Sequence, residues 1–388
     1  MIKNFWILLL ISSAAPAQQE GENIYNQDVK TVQLFNTETN DETPFIRNDR
    51  FFILSFDILN QGYQRLSYSV KHCDRNWNPD NLFDSEYVNG YTSGQIREAQ
   101  PSFNTVQNYY HYTLQFPNQD MQVKVSGNYL LTVFDDRKKP LFSKRFSVYE
   151  PVGQVGIGYE RVSSSGNPDL NQRVSVKAAF PNGNSMNVRQ LSLCILRNNN
   201  WENALCGIQP QFINGNNFTF GQLSNVFDGG NEFFSFDTKN ISVQGYGVLK
   251  ITKDGSLYNT FLYPVIPYPL DYAYNPDVNG AYYVRRFDLS QERDGRTEGD
   301  YTYVNFAVNM TNPLEDKDLY VVGLFNNYQL TDENKMIFDE KRGFYEKTIL
   351  LKQGYYNYTI ATLDRNSGKV SYSEISGSFW QTENLYQG

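Results

Sequence analysis

Both histidines of the chain and one of its three cysteines fall between Ser67 and Tyr112. Lys71-His72-Cys73-Asp74 sets an imidazole, a thiol and a carboxylate on consecutive residues, and His111 follows in Tyr110-His111-Tyr112. Such groups could support a reactive thiol or hold a metal ion. Hydrolysis and metal binding, however, need several ionisable or ligand side chains converging on one cavity, and two histidines exclude most imidazole-based schemes. Cys73 then has two readings, a reactive thiol or a small buried side chain, and the second is favoured. The carboxylate pairs Asp135-Asp136 and Asp294 with Glu298 fall in polar turns. Neither a Gly-x-Ser-x-Gly elbow nor a His-Glu-x-x-His helix occurs, and alternating acids of a calcium loop are missing. No catalytic residue, cofactor or metal is expected.

The elements that would position these side chains read as strands. Apolar residues alternate with polar ones over Arg50 to Ile58, Leu66 to Lys71, Tyr109 to Phe116, Tyr129 to Phe134, Arg173 to Ala179, Gly247 to Lys253, Tyr301 to Val308 and Leu319 to Phe325. Tyr and Phe number 29 and 27, an aromatic share suited to pleated sheets and contact surfaces. Helical candidates are short, Gln291 to Arg296 and Asp332 to Met336, and read equally well as turns.

Residues 1–17 have the order of an export leader: Lys3, an apolar core from Phe5 to Ile11, then Ala15-Pro16-Ala17. That core is too short to span a bilayer and no later segment supplies a span, so direct membrane insertion is not expected. The formal charge is −8, and losing Lys3 with the leader makes it more acidic. Phosphate backbones and anionic headgroups are repelled by such a surface, which argues against nucleic acid and favours a protein partner. Cys194 and Cys206 flank the turn Asn198-Asn199-Asn200, so a hairpin could bring them within bonding reach.

Three times the chain gives Gly, then Tyr within two residues, then a strand, a polar turn and a returning strand: at Gly127-Asn128-Tyr129, at Gly245-Tyr246 and at Gly354-Tyr355-Tyr356. The spacing matches one immunoglobulin-like sandwich per repeat, where a corner tyrosine returns its hydroxyl to the backbone. With Glu150-Pro151-Val152-Gly153 and the Pro264, Pro267, Pro269 run as connectors, the expected organisation is all-β: sandwiches over 18–150, 151–268 and 269–388 after the leader.

The ordered set His72-Cys73-Asp74, Trp77, Glu86-Tyr87, Gly90, Ser102-Phe103-Asn104-Thr105, Tyr110-His111-Tyr112 and Gly127-Asn128-Tyr129-Leu130-Leu131 resembles the plug proteins of the bacterial type IX secretion system. Tyr283-Val284-Arg285-Arg286, Asp300-Tyr301, Val321 to Asn327 and Leu350 to Tyr358 extend the likeness to the chain's end. It implies a periplasmic protein at the inner face of the outer membrane. Its partner would be the outer-membrane translocon barrel, whose pore it occludes while no cargo complex is engaged. Trp77, Tyr87 and Tyr91 are candidate partner contacts, because Asn76, Asn78-Pro79, Asn89-Gly90 and Gly94 set them in turn-rich segments; the competing reading makes them core of the first sandwich.

Leu319 to Tyr328 further resembles the early-set sandwich modules that bind glycogen or starch. A Trp commonly stacks on sugar at the position of Tyr328, so fold without ligand is the preferred reading and carbohydrate is not expected. The alternative to a plug is a glycan-binding envelope protein of several domains. Plug relatives run on past Thr382-Glu383-Asn384 into an aromatic strand, so either the third sandwich's last strand is cut short or Leu385 to Gly388 is a remnant of a protease site.

Overall fold

The computed structural model describes residues 21–162, 169–183, 187–221, 224–288 and 291–388. The expected leader lies outside them. The fold is all-β, with strand pairing that builds three sandwiches.

In the first sandwich one sheet carries Asn23–Ile24, Pro140–Tyr149, Gly127–Phe134, Leu66–Cys73 and Gly94–Ile96 in spatial order, with Phe45–Arg47 added in parallel to Pro140–Tyr149. The facing sheet runs Val29–Asn36, Phe52–Leu59, Tyr109–Phe116 and Glu98–Pro101. Period-two alternation sends Phe52, Leu54, Phe56 and Ile58 inward, where all four are buried. There Phe56 stacks on Tyr112 (5.3 Å between centroids) and meets Phe142 edge-on (4.8 Å).

Towards one end of that sheet the outward positions are buried as well. Asp57, Leu59, Tyr109 and His111 all point away from the first core, yet none is more than 7% exposed. Asp57 pairs with His111 and Leu59 with Tyr109 in the cross-strand register. What covers them is the third sandwich.

That third sandwich begins earlier in the chain than expected. Phe234–Asp237 pairs with the long strand Gly354–Asp364, while Val248–Lys253 and Tyr258–Leu262 extend the sheet of Tyr301–Asn309, Phe344–Lys352 and Ile337–Asp339. Ring packing accounts for the placement: Phe236 lies flat on Tyr356, 5.2 Å away, and meets Phe306 edge-on. The proline run, expected as a linker near residue 268, is also built in. Val265 forms a parallel bridge with Val308, donating to Ala307 O and accepting from Asn309 N.

The middle sandwich is correspondingly smaller. Gln154–Arg161, Asn171–Ala179, Asn217–Phe220, Phe212–Asn214 and Val226–Asp228 make one sheet; Asn200–Ile208, Leu193–Arg197 and the terminal Tyr386–Gln387 make the other. The chain's last strand therefore joins the middle sandwich, where Tyr386 packs against Phe227 and bonds Gln172 Oε1 at 2.6 Å.

Two of the three Gly-Tyr repeats are tyrosine corners. The Tyr129 hydroxyl donates to Val125 O and the Tyr356 hydroxyl to Lys352 O, both at 2.7 Å and both four residues back. Their glycines are needed because a Cβ at Gly127 would sit 2.2 Å from His72 Nε2, and one at Gly354 would sit 2.3 Å from Tyr283 O. Gly245-Tyr246 is not a corner: Tyr246 is 58% exposed in the loop before Val248–Lys253.

Candidate functional site

His72, Cys73 and Asp74 do not assemble a reactive centre. Adjacent strand residues point to opposite faces, which separates the imidazole from the thiol. His72 Nδ1 bonds Asp80, and its ring meets Tyr129 edge-on at 5.0 Å. Cys73 is buried with Trp77 and Leu130. Asp74 Oδ1 accepts from Asn76 N and Asn78 N, a turn-forming role that holds the carboxyl below its usual range. Among the described residues, no three His, Cys, Asp or Glu side chains are grouped to hold a metal ion.

The three aromatic contacts expected from sequence separate. Tyr87 is core: it is 3% exposed and donates to Asp84 Oδ1 at 2.6 Å. Trp77 is 9% exposed and meets Trp201 of the middle sandwich edge-on at 4.8 Å, with the Arg145 guanidinium 5.3 Å above its ring. It anchors one module to the next within this chain. Tyr91 alone of the three is open, at 70%; Phe83, before the short helix that leads to Tyr87, is also exposed, at 77%. Backbone bonds hold this segment in place, Tyr91 N to Asp120 O and Lys124 N to Tyr87 O.

Cys194 and Cys206 come together across the hairpin of Leu193–Arg197 and Asn200–Ile208, with Cα atoms 3.9 Å apart.

The densest buried chemistry lies between the first and third sandwiches. Asp57 Oδ1 bonds His111 Nδ1 at 2.7 Å, while Asp57 Oδ2 accepts from the Tyr301 hydroxyl and from Lys352 Nζ, each at 2.7 Å. Tyr301 and Lys352 are themselves cross-strand partners, so one pair from each sandwich meets in a four-residue cluster. Lys352 also donates to Arg296 O at 2.6 Å and lies 4.1 Å from the Tyr109 ring centroid. Burial alone would push the Asp57 carboxyl up, but the Lys352 ammonium and the His111 bond outweigh it and leave Asp57 below the usual carboxylate range. Burial draws the Lys352 ammonium down against the pull of Asp57.

Around this centre the seam is stitched by backbone. Asp300 accepts from Val106 N and Gln107 N at 2.6 and 3.0 Å; the Tyr109 hydroxyl donates to Gly299 O at 2.7 Å; Phe103 N donates to Thr297 O at 2.9 Å. All three modules meet a short way off. Lys144 of the first bonds Glu22 (3.2 Å) and Asn327 of the third (2.7 Å), beside Asn199 and Trp201 of the middle one. There, burial pushes the Glu42 carboxyl up to about 7 despite the nearby Lys144. An open cleft of about 450 Å³ beside this junction is lined by Glu22, Arg145, Glu202, Tyr328 and Tyr372. Tyr328 is 2% exposed and donates to Asn198 O across the modules, so its ring is closed to a sugar.

Sequence reasoning missed Asp57, Lys352 and Glu42 as members of any site. No helix among the described residues is long and apolar enough to cross a membrane.

Residues 29–150 match the family model of the type 9 secretion system plug protein 1st domain. The chain is similar along almost its whole length to a solved structure, a hypothetical protein from Parabacteroides merdae ATCC 43184. Identity is 29%, the TM-score 0.89, and the match covers 94% of this chain and 93% of that one. A structure of the Pseudomonas fluorescens alkylpurine DNA glycosylase AlkC bound to DNA aligns over 31% of this chain and 30% of that one, with 12% identity and a TM-score of 0.18, and carries no argument. No curated protein matches.

Proposed function

We propose, from the premise that residues 29–150 belong to the type 9 secretion system plug family, that this protein covers the periplasmic mouth of the outer-membrane translocon barrel while no cargo complex is engaged. The family match is the observation that carries this reading. It acts as a steric stopper and transforms no substrate.

The buried seam supports the reading physically. A cover over a water-filled pore must not flex open under thermal motion, and linked sandwiches hinge by default unless their interface is extensive. Here buried charge, backbone bonds and the Trp77–Trp201 contact restrain the modules. Release on cargo engagement calls for a mostly polar interface with few aromatic anchors, and Tyr91 and Phe83, each exposed, are aromatics that fit. The burial of Tyr328 weighs against the glycan-binding alternative.

Outer-membrane vesicles from a strain lacking the protein should leak small solutes faster than the parent's, and purified protein added from the periplasmic side should restore the barrier. Equal leakage in both strains, or failure to co-purify with the barrel, defeats the proposal.

A further inference from the structure

We propose that the edge strand Gln154–Arg161 of the middle sandwich pairs antiparallel with the same strand of a second copy of this chain, about a two-fold axis at Ile157. The inference does not rest on the plug reading, since it concerns a different module and a different partner.

Edge strands carry unpaired main-chain donors and acceptors, and folded proteins guard them by shortness, lysine, proline or a bulge. Most edges of this chain are guarded in that way. Gly94–Ile96, Phe212–Asn214, Tyr282–Val284 and Ile337–Asp339 have three residues each, Glu98–Pro101 ends in proline, and Val248–Lys253 carries two lysines. Val29–Asn36 and Asn200–Ile208 are long, but a register shift interrupts each. Gln154–Arg161 is different. It ends its sheet, runs eight residues without lysine, proline or break in register, and is exposed at every position but Ile157. Among the described residues no strand pairs with its outer side.

The side chains also want cover. Register sets Val155 opposite Ala178, Ile157 opposite Val176 and Tyr159 opposite Val174, so all three lie in the core-facing phase. Their partners are buried, yet Val155 and Tyr159 remain 50% and 51% exposed. From the facing sheet Tyr386 reaches Tyr159, with ring centroids 6.0 Å apart, and leaves the row half-covered. On the other face stand Gly156 and Gly158, and a Cβ at Gly156 would meet no atom within 4 Å, so nothing obstructs an approaching strand.

Charge and register select the occupant. Antiparallel residues directly opposite each other share a face, so a two-fold axis relating two copies must fall on a residue. Centres near either end leave most of the strand unpaired, and at Glu160 or Arg161 they oppose like charges as well; a centre at Gly158 opposes Val155 with Arg161. An axis at Ile157 sets Val155 across from Tyr159, Gly156 from Gly158 and Gln154 from Glu160. The apolar row then runs unbroken through both copies. No like charges oppose, and Glu160, already joined to Arg173 at 3.2 Å, faces an amide.

One strand pair makes a small contact, so the dimer is weak and reversible. Sedimentation velocity of the purified full chain at rising concentration should show the mass climbing from one copy towards two. Q154E sets two like-charged pairs across the axis and should weaken association about fivefold; Q154K should tighten it by a similar factor, and K341E, in an exposed turn of the third sandwich, should leave it unchanged. Oxidation reads the register. I157C, whose copies face one another at about 5 Å, should form a covalent dimer, and V155C, whose copies lie roughly 13 Å apart, should not. The proposal is overturned by a chain that stays monomeric at every concentration, whether or not another protein's strand pairs with this edge. Association indifferent to Q154E and Q154K, an equal loss in K341E, failure of I157C to join, or V155C joining as readily overturns it too.

Discussion

Replacing Lys352 with Met tests the seam most directly. Asp57 and Lys352 are 0% and 1% exposed, and their charged atoms lie 2.7 Å apart. With an effective dielectric constant of about 20, that spacing corresponds to roughly 6 kcal/mol of attraction, offset by the desolvation of both ions. Removing one partner strands the other charge, so K352M and D57N should each cost about 3–5 kcal/mol. Removing both leaves no orphan. The double variant should therefore lose much less than the two single losses added together, with a coupling of about 2 kcal/mol or more. Denaturant unfolding followed by tryptophan fluorescence and far-UV circular dichroism gives the four corners of the cycle. Because one partner belongs to each sandwich, the single variants should also split the unfolding into separate first- and third-sandwich steps. Additive losses in a single unchanged transition would refute the reasoning.

Acidification should act at the same place. Asp57 has a folded pKa below 3.8, so the stability it adds is complete above about pH 4 and disappears as pH falls through the folded value; D57N should flatten that acid limb of the stability curve. Glu42 runs the other way: its pKa rises from 4.5 to about 7, so stability is lost as pH climbs through that window, and E42Q should gain up to about 3 kcal/mol at pH 8 in a thermal or denaturant melt. Trp77→Ala should destabilise by about 3–4 kcal/mol and loosen the middle sandwich, whereas Tyr91→Ala with Phe83→Ala should leave melting unchanged and weaken barrel co-purification. Non-reducing peptide mapping should find Cys194 joined to Cys206, and C194A/C206A should lower stability by about 3 kcal/mol; a free thiol at either position in protein isolated from the envelope would end that expectation.

Strands were legible wherever one face met a core. Tyr109–Phe116 has the expected bounds, and Phe52–Leu59 is displaced by only a residue or two from the reading. Sheet membership was not, because a run such as Phe234-Ser235-Phe236 states that it will be half-buried without stating against what. Chain order was a poor guide for the same reason: Tyr386–Gln387 pairs with Leu193–Arg197, far back in the sequence. The seam escaped for a subtler cause. Asp57, His111 and Lys352 occupy the outward phase of their strands, where a polar side chain is unremarked. Yet Phe103, His111, Asp300, Tyr301 and Lys352 of the seam all lie in motifs that carried the family resemblance. Trp77 was caught between two readings, surface or core, and proved to be the contact between two modules.

The third sandwich is threaded between Val226–Asp228 and Tyr386–Gln387, both strands of the middle one. It is thus a guest inside a host. The host cannot close its second sheet until the guest has been made, so the middle sandwich should be the last to mature even though its first strand is made long before the third begins. Cutting the polypeptide beside the guest would separate the host's two halves and raise the entropy of bringing them back together.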